Sequence, residues 1–231
     1  MRKLGLIGGM SWIATRSYYE QINTIYQRAK GAPASAPMLI ENHDFAGLAR
    51  LESDEDWARA AETMVASARR LEAAGAGLIL IAANSMHRVY DEVEAAVGVP
   101  MLHIAECVGD AMAADGVKRA ALVATRNVAT GSFYRRRLVA RGIDLLPPDM
   151  EDIEKVDGIV YDELVAGRAT RPAERVLKTI ITEMGQQGAE AVVLGATELE
   201  MVVMVDANVL PIYSSTRIHL TRAAEWLLGS D

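Results

Sequence analysis

The sequence predicts an α/β fold made of two like halves on parallel sheets, from three observations. Apolar runs of strand length alternate with amphipathic helical stretches along nearly the whole chain, as in strands joined by crossover helices. Two of these runs read as one another: Gly75-Ala76-Gly77-Leu78-Ile79-Leu80-Ile81-Ala82-Ala83-Asn84 and, 113 residues later, Gly188-Ala189-Glu190-Ala191-Val192-Val193-Leu194-Gly195-Ala196-Thr197. A second echo has nearly the same offset. Leu6-Ile7, leading to Thr15 and Tyr18-Tyr19, returns 115 residues on as Ala121-Leu122, leading to Thr130 and Phe133-Tyr134.

Taken in order, strands are expected near 3–8, 37–42, 77–83, 100–103, 119–124, 143–146, 190–195 and 209–213, each a short apolar run of the kind buried on both faces of a parallel sheet. Between the second and third, Trp57, Ala61, Met64, Ala68 and Leu71 recur at spacings of four and three, which puts one core-facing stripe on a helix over 55–73. Gly75 is placed to end that helix in the left-handed conformation. The seam between halves is expected near 100–118. The last strand and helix, about 209–229, are expected to return to the first half, giving units of 1–100 plus 209–231 and of 101–208. No low-complexity linker separates the halves, so a tight interface with the ligand in the cleft is expected.

Composition narrows the function. The chain has 231 residues, 51% hydrophobic and 24% charged, which is ordinary globular material with enough length for a sizeable core. A net charge of −7 argues against a nucleic-acid surface. The one basic run, Arg135-Arg136-Arg137, is read as a solvated helical face. No stretch approaches the roughly 20 apolar residues of a membrane span, and the N-terminus enters a strand without a signal peptide's apolar region, so no membrane association and a cytoplasmic location are expected. Cys107 is the single cysteine, which rules out an intrachain disulfide and a multi-cysteine metal site, and a buried structural thiol is expected. His43, His103 and His219 show no metal-ligand spacing, and no metal is expected.

Several motifs could carry chemistry. Gly8-Gly9-Met10-Ser11 follows the first strand and precedes a helix at about Ala14, where backbone N–H groups and about half a positive charge favour an anion. It fits neither the dinucleotide fingerprint nor a P-loop, so a carboxylate or small phosphate suits it better, the alternative being a tight turn with no ligand. Asn84-Ser85-Met86-His87 and Thr197-Glu198-Leu199-Glu200 follow the two matched strands. Asn84, Ser85 and Thr197 read equally as helix caps and as two opposed helix N-termini that grip a carboxylate and steady an enolate-like charge. Thr125-Arg126-Asn127 is the second-half counterpart of Met10-Ser11-Trp12 and another anion contact. His87 is either a general base or structural. Glu198, beside Ala196, reads either as the surviving ionisable group of the site or as a residue that only holds the strand end, and Asp162-Glu163 reads as a solvated helical pair.

Six ordered motifs then resemble the aspartate/glutamate racemase family from end to end: Gly8-Gly9-Met10-Ser11-Trp12; Asp44-Phe45 with Arg50-Leu51; Asn84-Ser85-Met86-His87; Leu102-His103-Ile104-Ala105; Ile159-Val160-Tyr161-Asp162-Glu163-Leu164; and Leu194-Gly195-Ala196-Thr197-Glu198-Leu199. The resemblance implies a cofactor-independent (PLP-independent) amino-acid racemase, often a homodimer, acting on a small amino acid or dicarboxylate. Two residues on opposite faces of the α-carbon remove and return its proton. In the family the second-half base is a cysteine, which falls on Ala196; the first-half partner, cysteine or threonine, falls on Ala83. Substrate contacts carry over to Met10, Ser11, Asn84, Ser85, Thr125, Thr197 and Glu198, with Arg50 and Arg168 at the substrate's second carboxylate.

Here the chain departs from the pattern. An alanine side chain has no ionisable group, so neither position can exchange a proton, and the chain is expected to bind without turning over. Two explanations fit: substitution of the pair to trap a substrate, or a natural member that kept the cleft and lost the chemistry. The active-like residues around position 196 favour the first there. Two other classes stay open, a non-catalytic small-carboxylate-binding protein and a relative of one-cysteine malonate-type decarboxylases.

Overall fold

The computed structural model describes residues 2–204 and 207–229. The chain divides into two compact units, Met1–His103 with His219–Asp231, and Ile104–Ile218. In chain order the first unit carries β1 (Leu4–Gly8), α1 (Trp12–Lys30), β2 (Met38–Asn42), α2 (Asp54–Ala73), β3 (Leu78–Ile81) and α3 (Tyr90–Glu94). The second carries α4 (Ile104–Ala114), β4 (Arg119–Val123), α5 (Arg126–Thr130), α6 (Ser132–Val139), β5 (Asp144–Leu145), α7 (Met150–Gly158), α8 (Arg171–Gln186), β6 (Ala191–Leu194) and β7 (Ile212–Ser214), and α9 (Ser215–Leu228) leads back into the first.

Helix α2 shows how the sequence sets an element. Ser53 and Asp56 form a reciprocal capping box, and Asp54, Glu55 and Asp56 place negative charge on the first turn, where the helix dipole favours it. The expected stripe is buried: Trp57, Ala61, Met64, Ala68 and Leu71, with Ala60 and Ser67 beside them. Gly75 follows at φ +90, the left-handed region that reverses the chain into β3.

Both sheets are parallel and share one order, β2-β1-β3 and β5-β4-β6-β7, with the first strand of each half in the middle. Side chains alternate between faces. Leu4, Leu6, Leu78 and Leu80 pack with Tyr18, Ile22, Leu220 and Ala224, while Ile7, Ile79 and Ile81 pack with Met64, Ala68 and Leu71 of α2. In the second sheet Val123, Val192 and Leu194 face Leu177, Ile180 and Ile181, while Ala120, Ala191 and Val193 face Val108, Tyr134 and Leu138. The matched strands β3 and β6 lie 113 residues apart, as the repeat predicts. The ladders pair Leu4 with Leu78 and Ala120 with Ala191, so β1 and β4 are related by 116 residues rather than the 115 of the motif echo.

Three expectations are corrected. The strand near 100–103 reduces to one bridge, Ile79 with Met101, because Pro100 has no N–H to donate and α4 starts at Ile104. The last strand does not return to the first half. It pairs with β6 from Val192↔Ile212 to Leu194↔Ser214, and only the helix after it sends Leu220, Ala223, Ala224 and Leu227 into the first unit's core. The arginine run is not one solvated face: Arg135 donates to the carbonyls of Leu145 and Leu146, and Arg137 pairs with Glu106 at 3.2 Å, which leaves Arg136 exposed. Cys107 is a buried thiol on α4 that is in no disulfide.

Leu80 is fully buried in the middle of β3. Leu80→Ala is expected to cost about 2–5 kcal/mol, because the packed sheet and helices around it cannot collapse onto the cavity; urea unfolding of the two proteins measures it.

Candidate functional site

The first strand tip begins where the ladder stops. Ala82 still donates to the Ile7 carbonyl at 2.9 Å, and then the chain turns at Ala83 and Asn84 into a 3-10 turn over Ser85–Val89. Asn84 makes no capping hydrogen bond. Its side chain is buried, and neither Oδ1 nor Nδ2 has a hydrogen-bond partner. A buried amide left this way costs about 1–3 kcal/mol, so a polar group from outside the chain is the natural complement. Ser85 beside it is half-buried.

The capping reading of Asn84 and Thr197 is therefore replaced, and so is the pair of helix N-termini. Both motifs open five-residue 3-10 turns, Ser85–Val89 and Thr197–Met201, too short to align the peptide dipoles that a long helix sums. At the second tip Gly195 donates to the Val123 carbonyl at 2.8 Å, and Ala196, buried and extended, accepts from Leu199 at 3.3 Å. Thr197 is buried and its hydroxyl accepts from Thr216 at 2.8 Å. Glu198 is buried next to it, and Glu200 accepts from the Ser214 hydroxyl. Thr125, also buried, precedes α5 without capping it.

The glycine motif folds mainly for its own sake. Gly9 has φ +90, a Cβ there would lie 2.1 Å from the His43 carbonyl oxygen, and its N–H is spent on the Thr15 hydroxyl at 2.7 Å. Ser11 caps α1, which starts at Trp12 rather than Ala14, by accepting from Ala14 at 3.3 Å. The Met10 side chain sits in the core with Leu51, Trp57 and Ala60. Arg50 is exposed, at φ 52 in the loop after β2. Arg168 is exposed too, its guanidinium donating to the Asp162 carbonyl. Asp162 and Glu163 lie on a π-helical turn that continues α7, and Glu163 accepts from Thr170 at 2.6 Å rather than standing free in solvent.

Behind the first tip lies a cluster that sequence spacing does not show. His87, His103 and His219 are all buried, with ring centroids 4.7 Å apart for His87 and His103 and 5.6 Å for His87 and His219. Tyr90 stacks parallel to His87 at 5.8 Å and meets His103 edge-on at 4.7 Å. The hydrogen bonds set the tautomers. His87 Nδ1 lies 2.8 Å from the Ala83 carbonyl and must donate to it, and His219 Nε2 lies 3.0 Å from the Leu102 carbonyl and must donate there, so His219 Nδ1 accepts from the Tyr18 hydroxyl at 2.7 Å. The rings touch by their faces and edges, with these nitrogens turned outward to carbonyls. Among the described residues no group of three or more His, Cys, Asp or Glu is arranged to hold a metal ion. The one available signal was that each of His103 and His219 sits between apolar neighbours, Leu102 and Ile104, and Ile218 and Leu220.

The chain matches the Asp/Glu/hydantoin racemase family over residues 7–223 and belongs to that family, as the six motifs indicate. Among solved structures, a protein from Yersinia pestis provisionally called an Asp/Glu racemase is 35% identical over 99% of this chain and 100% of its own, with a TM-score of 0.89. An aspartate racemase homologue from Pyrococcus horikoshii OT3 is 29% identical over 99% and 100%, with a TM-score of 0.83. The aspartate racemase of Picrophilus torridus, 19% identical over 100% and 94%, shares the fold at a TM-score of 0.73. No helix among the described residues is long and apolar enough to cross a membrane.

Burial, and then the charge of His87, pushes His219 down from 6.5 to about 3. With its folded pKa depressed, His219 stays neutral in the native state and takes up a proton on unfolding, so its contribution to stability is complete above pH 6.5 and is lost as pH falls from there toward 3. Glu41, held down by the Arg70 guanidinium, adds acid sensitivity only below its ordinary 4.5. Urea midpoints are expected to fall between pH 6.5 and 5 in the native protein and to fall less steeply in His219→Gln, whose amide keeps a donor for Leu102 but cannot take the proton. Equal slopes would remove His219 as the cause.

Proposed function

We propose that this chain is a racemase of the aspartate/glutamate type in its scaffold, working without PLP or other cofactor, that binds a small amino acid or dicarboxylate at its strand tips and is impaired in turnover. The observation that carries this reading is the pairing, at one strand tip, of a position without proton-handling chemistry, Ala83, with a buried amide that has no partner, Asn84. Ala196 repeats the first feature at the other tip. Two-base exchange needs an ionisable side chain at each position, and losing positioned acid/base catalysis removes a factor of about 100 to 10,000 per group.

In this reading Asn84, Ser85, Thr125 and Thr197 contact the substrate's polar groups, Met10 and Ser11 contribute from the turn after β1, and Arg50 and Arg168 serve its second carboxylate. Glu198 remains as an ionisable group beside Ala196. The working form is a cytoplasmic homodimer. The paired alanines also favour a second reading, a binding protein for small carboxylates that needs no turnover. A one-cysteine decarboxylase is less well supported, since Cys107 is buried on α4.

Restoring the thiols separates these readings. Ala83→Cys/Ala196→Cys is expected to exchange the α-proton of L-aspartate or L-glutamate in deuterated water at least about 100-fold faster than the native chain, with Ala196→Cys alone well below the double variant. If neither variant exchanges but either acid raises the melting temperature, the binding-protein reading holds. If neither exchange nor stabilisation occurs, both readings fail.

A further inference from the structure

The histidine cluster lies outside the two-base scheme, yet it meets the proposed site at one atom. Beyond Ala82 the β-ladder no longer holds the backbone, and the Ala83 carbonyl accepts from His87 Nδ1 at 2.8 Å. His87 is also tied into the turn through its own N–H, which donates to the Asn84 carbonyl at 3.2 Å. One residue thus grips the carbonyls on both sides of the Asn84 Cα, which carries the partnerless side-chain amide.

The imidazole is held from several directions by groups of the same unit. Tyr90 lies parallel to it, with an interplanar angle of 10°, and is anchored by its hydroxyl on Glu94 at 2.8 Å. His103 and His219 meet it edge-on, at 66° and 73°. His219 is in turn fixed at both nitrogens, by the Leu102 carbonyl and the Tyr18 hydroxyl. A ring so wedged has one orientation, and its donor has one target.

We propose that His87 is the positioning residue of the first strand tip: its Nδ1–H holds the Ala83 carbonyl, and the surrounding Tyr90, His103 and His219 rings lock that bond, so that the Asn84 amide is presented in one direction. This rests on the reading that the tip binds a small carboxylate. His87 acts through Asn84, its Nδ1–H given to the Ala83 carbonyl and its remaining basic nitrogen, Nε2, buried. The cluster also holds opposite tautomers side by side, His87 protonated at Nδ1 and His219 at Nε2.

The test combines conservative variants with a spectrum of the native chain. An asparagine amide reaches about where Nδ1–H sits, whereas a glutamine amide reaches about where Nε2 sits. In calorimetric titrations with L-aspartate and with malonate, His87→Asn is expected to bind within about threefold of the native protein, and His87→Gln and Asn84→Ala at least about tenfold more weakly. Nitrogen-15 spectra of the native imidazoles are expected to show the Nδ1–H form at His87 and the Nε2–H form at His219. Equal binding by His87→Gln and His87→Asn, or an Nε2–H tautomer at His87, overturns the proposal. If Asn84→Ala binds like the native chain, the site reading fails instead. If the native chain binds neither acid, that reading also fails, and the native tautomer, which requires no variant to fold, still decides the role of His87.

Discussion

Everything at the strand tips follows from where the parallel ladders run out. Along β3 and β6 the ladders to β1 and β4 hold the backbone, and the last ladder donors are Ala82 to Ile7 and Gly195 to Val123, donors related by the same 113-residue repeat as the strands. One residue later the sheet supplies nothing, and a buried carbonyl must find another donor or cost free energy. That residue is Ala83 in one unit and Ala196 in the other.

The two halves solve this differently. In the first, an imidazole donates to Ala83 and is itself wedged among aromatic rings. In the second, the main-chain N–H of Leu199 serves Ala196, and the side chains of the turn are held by hydroxyls, Thr216 on Thr197 and Ser214 on Glu200. His87 and Glu200 occupy equivalent places in the repeat. The duplication preserved the strand ends, while the chemistry behind them diverged, and among the described residues the buried amide without a partner, Asn84, lies in the first half. In the function proposed above, a family scaffold with alanine at both tips and an unmet amide at one would hold a small acid rather than exchange its proton.

Much of this was legible in the sequence because burial writes a simple code. Continuous apolar runs gave the strands of both sheets, and the four-and-three spacing from Trp57 to Leu71 gave α2 almost to the residue. The register of β1 against β4 was misread by one residue because Leu6, Ile7, Ala121 and Leu122 are all apolar, and a run buried on both faces carries no alternation to fix it. The sheet joined by β7 was not legible either: three residues of strand say nothing about which neighbour they pair with. At the candidate site, the small polar residues after each strand marked where the strands end, but they open 3-10 turns rather than cap helices. The histidine cluster had no signature, because residues 87, 103 and 219 meet only through the fold.

The central claim is that the Asn84 amide is left for a ligand, and a crystal structure of the protein grown with malonate tests it most directly. The account predicts a carboxylate oxygen about 2.7–3.2 Å from Asn84 Nδ2, with the Ala83 carbonyl still on His87. A structure in which Asn84 bonds to the protein's own groups while malonate is absent from the β3 tip would contradict it.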